Sequence, residues 1–284
     1  MEFSVVIPAY KEKDINKVLK SVLGQDISPT MKLNKIFLIT SGYKNFSFLG
    51  DKKIVFIEEK NRGGKAAAIN SALKKVDSEI IVLQSGDVLL DKNAIKELLM
   101  PFEDSSVGMT TSRPIPMNDK SKFMGFVIHT LWFFHHLISL QRPKAGEVIA
   151  FRKLIKVIPK KLVADESYLE FFIRENGLKI TYVPDAIVFN KGPENVKHFL
   201  KQRKRVFIGH LHIRKQYGYT VSTMSFHNML KALFEYFNIK SVDNLKEISW
   251  IVAASLLELA ARFSALLDFY ILNNLPYKWE KIKT

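Results

Sequence analysis

The chain contains no cysteine, which excludes a disulfide framework, a thiolate metal site and a cysteine nucleophile. Its seven histidines, at positions 129, 135, 136, 198, 210, 212 and 227, lack the spacing of a zinc site. The nearest approach, His210-x-His212, reads as a packed or solvated pair. A Ser-His-Asp hydrolase elbow is missing. So is a Walker loop, because Gly63-Gly64-Lys65 lacks the earlier glycine that such a loop requires. Met1-Glu2 runs directly into the apolar stretch Phe3–Ile7, without a basic leader or cleavage site, so the expected compartment is the cytoplasm. A basic tail is also lacking. Lysine and arginine number 43 against 28 acids, a net charge of +15, but they are spread along the chain, which argues against a nucleic-acid arm. The charge instead calls for an anionic partner such as a nucleotide diphosphate or an acidic membrane face.

What is present is a chain of 284 residues, 47% hydrophobic and 12% aromatic, enough for a full core and too apolar for disorder. Phe3–Ile7 reads as a strand ended by Pro8. Asp14 is a candidate N-cap for a helix through Ile15, Val18, Leu19 and Val22. Strands follow at Lys35–Thr40, ending in Ser41-Gly42, and at Lys53–Ile57. Asn61-Arg-Gly-Gly-Lys65 then opens a helix through Ala66, Ile69, Ala72 and Leu73. Next come the strand from Glu79, a helix through Ile95 and Leu98, and the strand Val107–Thr111. Five alternations with short connections predict a mostly parallel, doubly wound α/β sheet.

Beyond it, Phe123–Leu140 has no formal charge but carries three His, Thr130 and Ser139. It sits at the lower limit for a spanning helix and suits a helix lying in a membrane interface or packed on the body. Gly146–Arg152 returns to the sheet. Asp165-Glu166 heads a helix stopping at Asn176-Gly177, followed by strands at Lys179–Val183 and Ala186–Phe189 and a basic helix from Val196 to Lys215. The tail Ile248–Leu272 is apolar apart from Glu258, Arg262 and Asp268. The cost of those charges cancels the gain from its Leu, Ile, Val and Phe, so it suits a helix pair on a membrane surface or packed against the body. These readings divide the chain into a nucleotide-handling domain, residues 1–215, and a helical appendage, residues 216–284.

Two segments carry chemistry on their own terms. Gly63 and Gly64 let backbone approach a diphosphate, and Lys65 adds charge at a helix start that already favours anions; an ordinary helix entry fits as well. The apolar strand from Glu79 delivers Asp87 to the turn Ser85-Gly86-Asp87, where it suits a divalent cation or simply closes the turn.

In order, these segments resemble family-two glycosyltransferases of the GT-A fold over about residues 3–215. Val5–Glu12 is similar to the family's opening strand and P-x-Y-N-E turn. Asn61–Asn70 resembles its glycine-lysine-alanine segment, and Ser85-Gly86-Asp87 falls at its D-x-D metal motif. Asp165-Glu166, with Gly177 and Tyr182–Asp185, looks like its E-D helix and following strand. Gln202-Arg-Lys-Arg-Val206 resembles the Q-x-x-R-W motif of the cellulose- and hyaluronan-synthase-like members.

The resemblance implies an inverting transferase moving a sugar from a nucleotide-diphosphate donor, UDP-linked by preference, to a lipid-linked or glycan hydroxyl at a membrane surface. It implies donor contacts from Pro8, Ala9, Tyr10, Glu12, Ser41, Lys65, Ser85, Gly86, Asp87, Gln202, Arg203 and Arg205. Asp87 would hold Mg²⁺ or Mn²⁺, Glu166 would be the general base and Asp165 would cap its helix. The chain departs from the family at Ser85, where the first D-x-D acid is missing, and at Thr40 and Ser41, which replace aspartates. It departs again at Glu166, in place of the usual Asp, and at Val206, in place of Trp. These losses leave a non-catalytic nucleotide-sugar-binding or partner-binding protein as the alternative.

Overall fold

The computed structural model describes residues 1–41, 47, 51–240 and 244–278; the turn residue Gly42 lies outside them. The chain groups into two compact units. Among the described residues, one comprises those within 1–114, 145–190 and 277–278, the other those within 115–144 and 191–276. The division therefore does not follow a single cut at residue 215. Two helices that begin before residue 215, at 123–141 and 196–217, group with the C-terminal helices.

The first unit is built on an eight-stranded sheet. Its strands are β1 (Glu2–Tyr10), β2 (Lys32–Ser41), β3 (Ile54–Glu58), β4 (Ile80–Gln84), β5 (Leu89–Leu90), β6 (Val107–Pro116), β7 (Val148–Arg152) and β8 (Lys179–Asn190). They lie in the order β3-β2-β1-β4-β7-β6-β8-β5. The run β3-β2-β1-β4 is parallel, as the alternation predicts. Beyond β4 the pattern changes. β7 is antiparallel to both β4 and β6, and β5 is antiparallel to β8. The parallel expectation therefore holds for half of the sheet, because strand order along the sheet is a tertiary property that alternation along the chain does not encode.

β1 lies inside the parallel run, between β2 and β4, and the continuous apolar run Phe3–Ile7 is what a strand covered on both faces requires. Phe3, Val5, Val6 and Ile7 have no exposed surface. At about 1.5–3 kcal/mol each they anchor the core, and Phe3→Ala would cost about 3–5 kcal/mol. Helix α1 (Ile15–Leu23) packs Ile15, Val18, Leu19 and Val22 into this core at the predicted spacing. Asp14 stands at its N-cap position without a side-chain cap bond; its carboxylate pairs with Lys17 at 2.9 Å instead. Helices α2 (Lys65–Leu73), α3 (Ala94–Leu99) and, much later, α5 (Asp165–Glu175) complete the unit. The two short strands expected around Pro184 are one, β8. Its pairing with β5 involves only Val188 and Phe189, so Pro184 withholds no amide from that ladder.

The second unit is helical: α4 (Phe123–Gln141), α6 (Val196–Tyr217), α7 (Phe226–Ile239) and α8 (Leu245–Tyr270). Asn195 caps α6 by accepting the His198 N–H at 2.9 Å, and Gly218, at φ +69°, ends it. Phe134 stacks on Tyr236 between α4 and α7, centroids 5.1 Å apart. All three charges of the apolar tail are paired. Glu258 accepts two bonds from Arg203, at 2.8 and 3.0 Å, and one from Arg262 at 2.9 Å, while Asp268 meets Lys204 at 2.8 Å. Burial opposes the Glu258 charge, but the two guanidinium groups override it and hold its pKa down to about 2. With those charges satisfied, α8 leaves Ile248, Val252, Leu256, Leu259 and Phe263 exposed at helical spacing. By length and composition alone α4 and α8 could each cross a membrane.

Candidate active site

Four parallel strands end at one edge of a sheet, so segments far apart in sequence meet there. β1 delivers Pro8, Ala9 and Tyr10, and Lys11 turns the chain at φ +52° before Glu12. β2 ends on Ser41. β3 leads through Glu59 and Arg62 to Gly64 and Lys65, and β4 runs into Ser85, Gly86 and Asp87. Together with Ala68 these residues, Lys11 apart, line an open cleft of about 600 Å³, counting its solvent-filled mouth. Nine residues proposed from the sequence as donor contacts thus share one hollow.

Glycine is required at two places on its wall. Gly64 has φ +90° and ψ 172°, a region essentially closed to other residues, and an added Cβ would stand 3.1 Å from the Tyr277 carbonyl. At Gly86 an added Cβ would stand 2.7 Å from that of Ala9, so the Asp87 turn is pressed against the end of β1. Arg62 lays its guanidinium over the Tyr10 ring at 3.7 Å, forming a cationic, planar floor. Burial raises the pKa of Glu59, opposed by the Gly63 N–H and by Arg62.

Lys65, the first residue of α2, reaches the start of α5. Its ammonium donates to Glu166 Oε1 and lies 3.3 Å from Asp165 Oδ2. Burial works against that charge, but the attraction of Asp165 and Glu166 outweighs it and raises the Lys65 pKa. Asp165 is buried; desolvation and the neighbouring Glu166 raise its pKa, with Lys65 opposing. The expectation that Asp165 caps α5 is corrected. Ala164 holds the cap position, no side-chain cap bond forms, and the Asp165 carboxylate is drawn to Lys65.

One further acid borders this cluster. Glu147, just before β7, has a pKa raised to about 7 by burial and then by the charge of Asp87, against a hydrogen bond from Asn190 and the attraction of Lys65. Asn190 Nδ2 donates to Glu147 Oε1 at 3.0 Å. Two buried oxygens of the same region, Gln84 Oε1 and Asn190 Oδ1, have no hydrogen-bond partner. Among the described residues no three His, Asp or Glu side chains converge as a metal site would need.

Gln202, Arg203 and Arg205 belong to the other compact unit. They lie on α6, where Arg203 is engaged by Glu258 within its own unit. In the other direction, the sequence reading overlooked Glu59, Arg62, Ala68 and Glu147. Arg62 and Ala68 sit inside the Asn61–Asn70 segment and were open to inclusion. Glu147 offered a weaker signal, a lone acid ahead of the apolar Val148–Phe151, whose position depends on strand order.

Residues 4–157 match the sequence profile of the family described as Glycosyl transferase family 2. The chain belongs to that family. Among its relatives is an N-acetylglucosaminyltransferase of Bradyrhizobium diazoefficiens, 19% identical over 231 residues, which cover 71% of this chain and 47% of that protein. The O-antigen chain rhamnosyltransferase RfbN of Salmonella typhimurium is 24% identical over 215 residues, 66% of each chain. The chain thus spans about half the length of the first of these relatives. A solved structure of the mannosyltransferase PcManGT from Pyrobaculum calidifontis, in complex with GDP-Man and Mn2+, matches with a TM-score of 0.66 at 17% identity, covering 96% of this chain and 88% of that one. S. aureus TarS 1-349 in complex with UDP-GlcNAc matches with a TM-score of 0.53 at 14% identity, covering 95% and 92%. At these identities the likeness is one of fold, and this glycosyltransferase family member has a GT-A-type α/β sheet with a C-terminal helix.

Proposed function

We propose that this family 2 member is an inverting glycosyltransferase using a nucleotide-diphosphate sugar, with UDP as the favoured nucleotide. The observation that carries the reading is the convergence of the Pro8–Glu12 turn, Ser41, the Gly64-Lys65 helix entry and the Ser85–Asp87 turn on one cleft, with Lys65 tying it to the Asp165–Glu166 pair. In this reading Tyr10 and Ser41 meet the nucleoside, and the backbone at Gly64 with Lys65 meets the diphosphate. An acceptor hydroxyl attacks the anomeric carbon from the face opposite the diphosphate. Its oxygen forms the new glycosidic bond as the bond from that carbon to the diphosphate oxygen breaks. Glu166 takes the hydroxyl proton, and the nucleoside diphosphate departs with the bonding electron pair.

Asp87 is the residue proposed to hold Mg²⁺ or Mn²⁺. Two oxygens at the ends of β4 and β8, Gln84 Oε1 and Asn190 Oδ1, are buried without partners, and with the Asp87 carboxylate they make a donor set suited to hard cations. When bound, such a cation would neutralise charge growing on the leaving diphosphate. Gln202 and Arg205 remain proposed donor contacts, and their segment is the reason for placing the chain near the cellulose- and hyaluronan-synthase-like members. Arg203, proposed with them, also pairs with Glu258.

The acceptor is proposed to be lipid-linked or a glycan presented at the cytoplasmic face of a membrane. That proposal is supported by the exposed apolar stripe of α8 and by Lys246, which sits over the Trp250 ring at 4.5 Å. An amphipathic, cation-bearing surface suits anionic lipid.

The test is donor binding and turnover. The purified chain is titrated with UDP-, GDP- and dTDP-sugars with Mn²⁺, and release of nucleoside diphosphate is followed. Selective binding and hydrolysis of one donor class supports the proposal. Tight binding with no turnover on any acceptor would favour a non-catalytic binding protein, and no binding of any donor would overturn both readings.

A further inference from the structure

The D-x-D position of this chain has one acid where the family pattern has two: Asp87 is present and Ser85 is not an acid. The sheet places another acid there. Because β7 runs antiparallel to β4, Gln84 pairs with Val148, and Glu147 comes to the edge where β4 turns through Ser85 to Asp87. Glu147 and the Ser85–Asp87 turn therefore adjoin paired residues at the same edge of the sheet. β8 arrives at the same edge. Leu89 pairs with Phe189, which sets Asn190 beside the residue that follows Asp87.

We propose that Glu147 replaces the missing acid, forming with Asp87 and the Asn190 side-chain oxygen the oxygen face that binds the divalent cation. The inference rests on the reading of Asp87 as a metal residue and extends it to β7 and β8.

Three observations support it independently of Asp87. Asn190 donates to Glu147 Oε1 at 3.0 Å, which fixes the carboxylate and leaves its other oxygen to be directed elsewhere. Asn190 is 6% exposed, and its Oδ1 has no hydrogen-bond partner, an uncommon state for a buried amide oxygen. Gln84, fully buried, spans the turn by donating to the Val88 carbonyl at 2.7 Å, and its Oε1 is likewise unpartnered. A cation would relieve the repulsion between the acids and satisfy these oxygens together. All of the donors are hard oxygen atoms, as Mg²⁺ and Mn²⁺ prefer. The entry to β7 is held as well: Ala145 donates its N–H to buried Glu170 of α5 at 2.6 Å, the helix that also bears Glu166. Metal and base would then be positioned by one connected piece of backbone.

The experiment is Mn²⁺ binding to the full chain, followed by electron paramagnetic resonance with and without UDP, alongside a thermal melt of each variant. Glu147→Gln is expected to weaken Mn²⁺ binding by about tenfold or more, as Asp87→Asn does, with no loss of melting temperature. Asn190→Asp, which adds a carboxylate, is expected to tighten Mn²⁺ binding at least about threefold, a gain that a purely structural asparagine would not produce. If Asp87→Asn releases Mn²⁺ while Glu147→Gln binds within twofold of the parent chain, the role of Glu147 is overturned and that of Asp87 stands. If the parent chain takes up no Mn²⁺ in either condition, both fall. Should Glu147→Gln fail to fold, Asn190→Asp decides, and unchanged or weaker binding there overturns the site.

Discussion

Lys65 and Glu166 form an ion pair across 101 residues of sequence, joining the first turn of α2 to the first turn of α5. Asp165 shares the same ammonium at 3.3 Å. One cation thus balances two acids at a place where two helix N-termini, both favouring negative charge, come together. A donor diphosphate entering at Gly64 would compete with Glu166 for Lys65. In the proposed mechanism the pair would link donor occupancy to the freedom of the proposed base.

Glu166→Gln keeps the shape and hydrogen-bonding reach of the side chain but removes its basicity. Transfer is expected to fall by about 10²–10⁴-fold, with UDP affinity by calorimetry within about threefold of the parent. Full activity in this variant would remove Glu166 from the mechanism.

Lys65→Met leaves Asp165 and Glu166 facing each other without their cation. Breaking such a pair from one side is expected to destabilise the chain by about 3 kcal/mol, read as a lower denaturation midpoint, and to weaken UDP binding. Adding Asp165→Asn to Lys65→Met should restore part of the stability without restoring binding. Additive losses in the double variant would show that the two residues are not coupled.

Gly64→Ala would force a Cβ into a glycine-only conformation and 3.1 Å from the Tyr277 carbonyl. A cost of about 1–3 kcal/mol is expected, with donor affinity falling about tenfold or more as the turn moves. Equilibrium denaturation and UDP titration separate the two effects.

Glu258 sits between Arg203 and Arg262, and its folded pKa, about 2, lies below the ordinary glutamate value of 4.5. A depressed carboxylate stabilises the fold fully above its unfolded pKa, and that contribution is lost as pH falls through the folded value. The gap corresponds to roughly 3 kcal/mol. Stability should therefore decline between about pH 4.5 and pH 2, and Glu258→Gln should flatten the decline over that window while lowering stability at neutral pH. An unchanged acid limb in Glu258→Gln would count against this assignment.

The exposed stripe of α8 includes Leu259, 62% exposed, and Phe263, 65% exposed. Sedimentation with vesicles containing phosphatidylserine is expected to pull down the parent chain and to fall severalfold for Phe263→Asp, with the melt unchanged. Equal retention of both proteins would detach this surface from lipid.

The sequence by itself determined the parallel half of the sheet and its helices, since buried strands read as apolar runs and each glycine-rich turn follows one directly. It also determined which segments meet in the cleft, because parallel strands all end at one edge. Only the tertiary structure decided what those segments touch. Local pattern cannot say that β7 enters antiparallel beside β4, and that one fact moves Glu147 from an unremarked strand entry to a neighbour of Asp87. Nor can it choose a partner for a long side chain. The ion pairs that Lys65 and Arg203 make are set by the acids that folding places within reach: Asp165 and Glu166 for the first, Glu258 for the second. Ion pairs between residues so far apart in sequence follow from strand order and helix packing, which exist only once the chain is assembled.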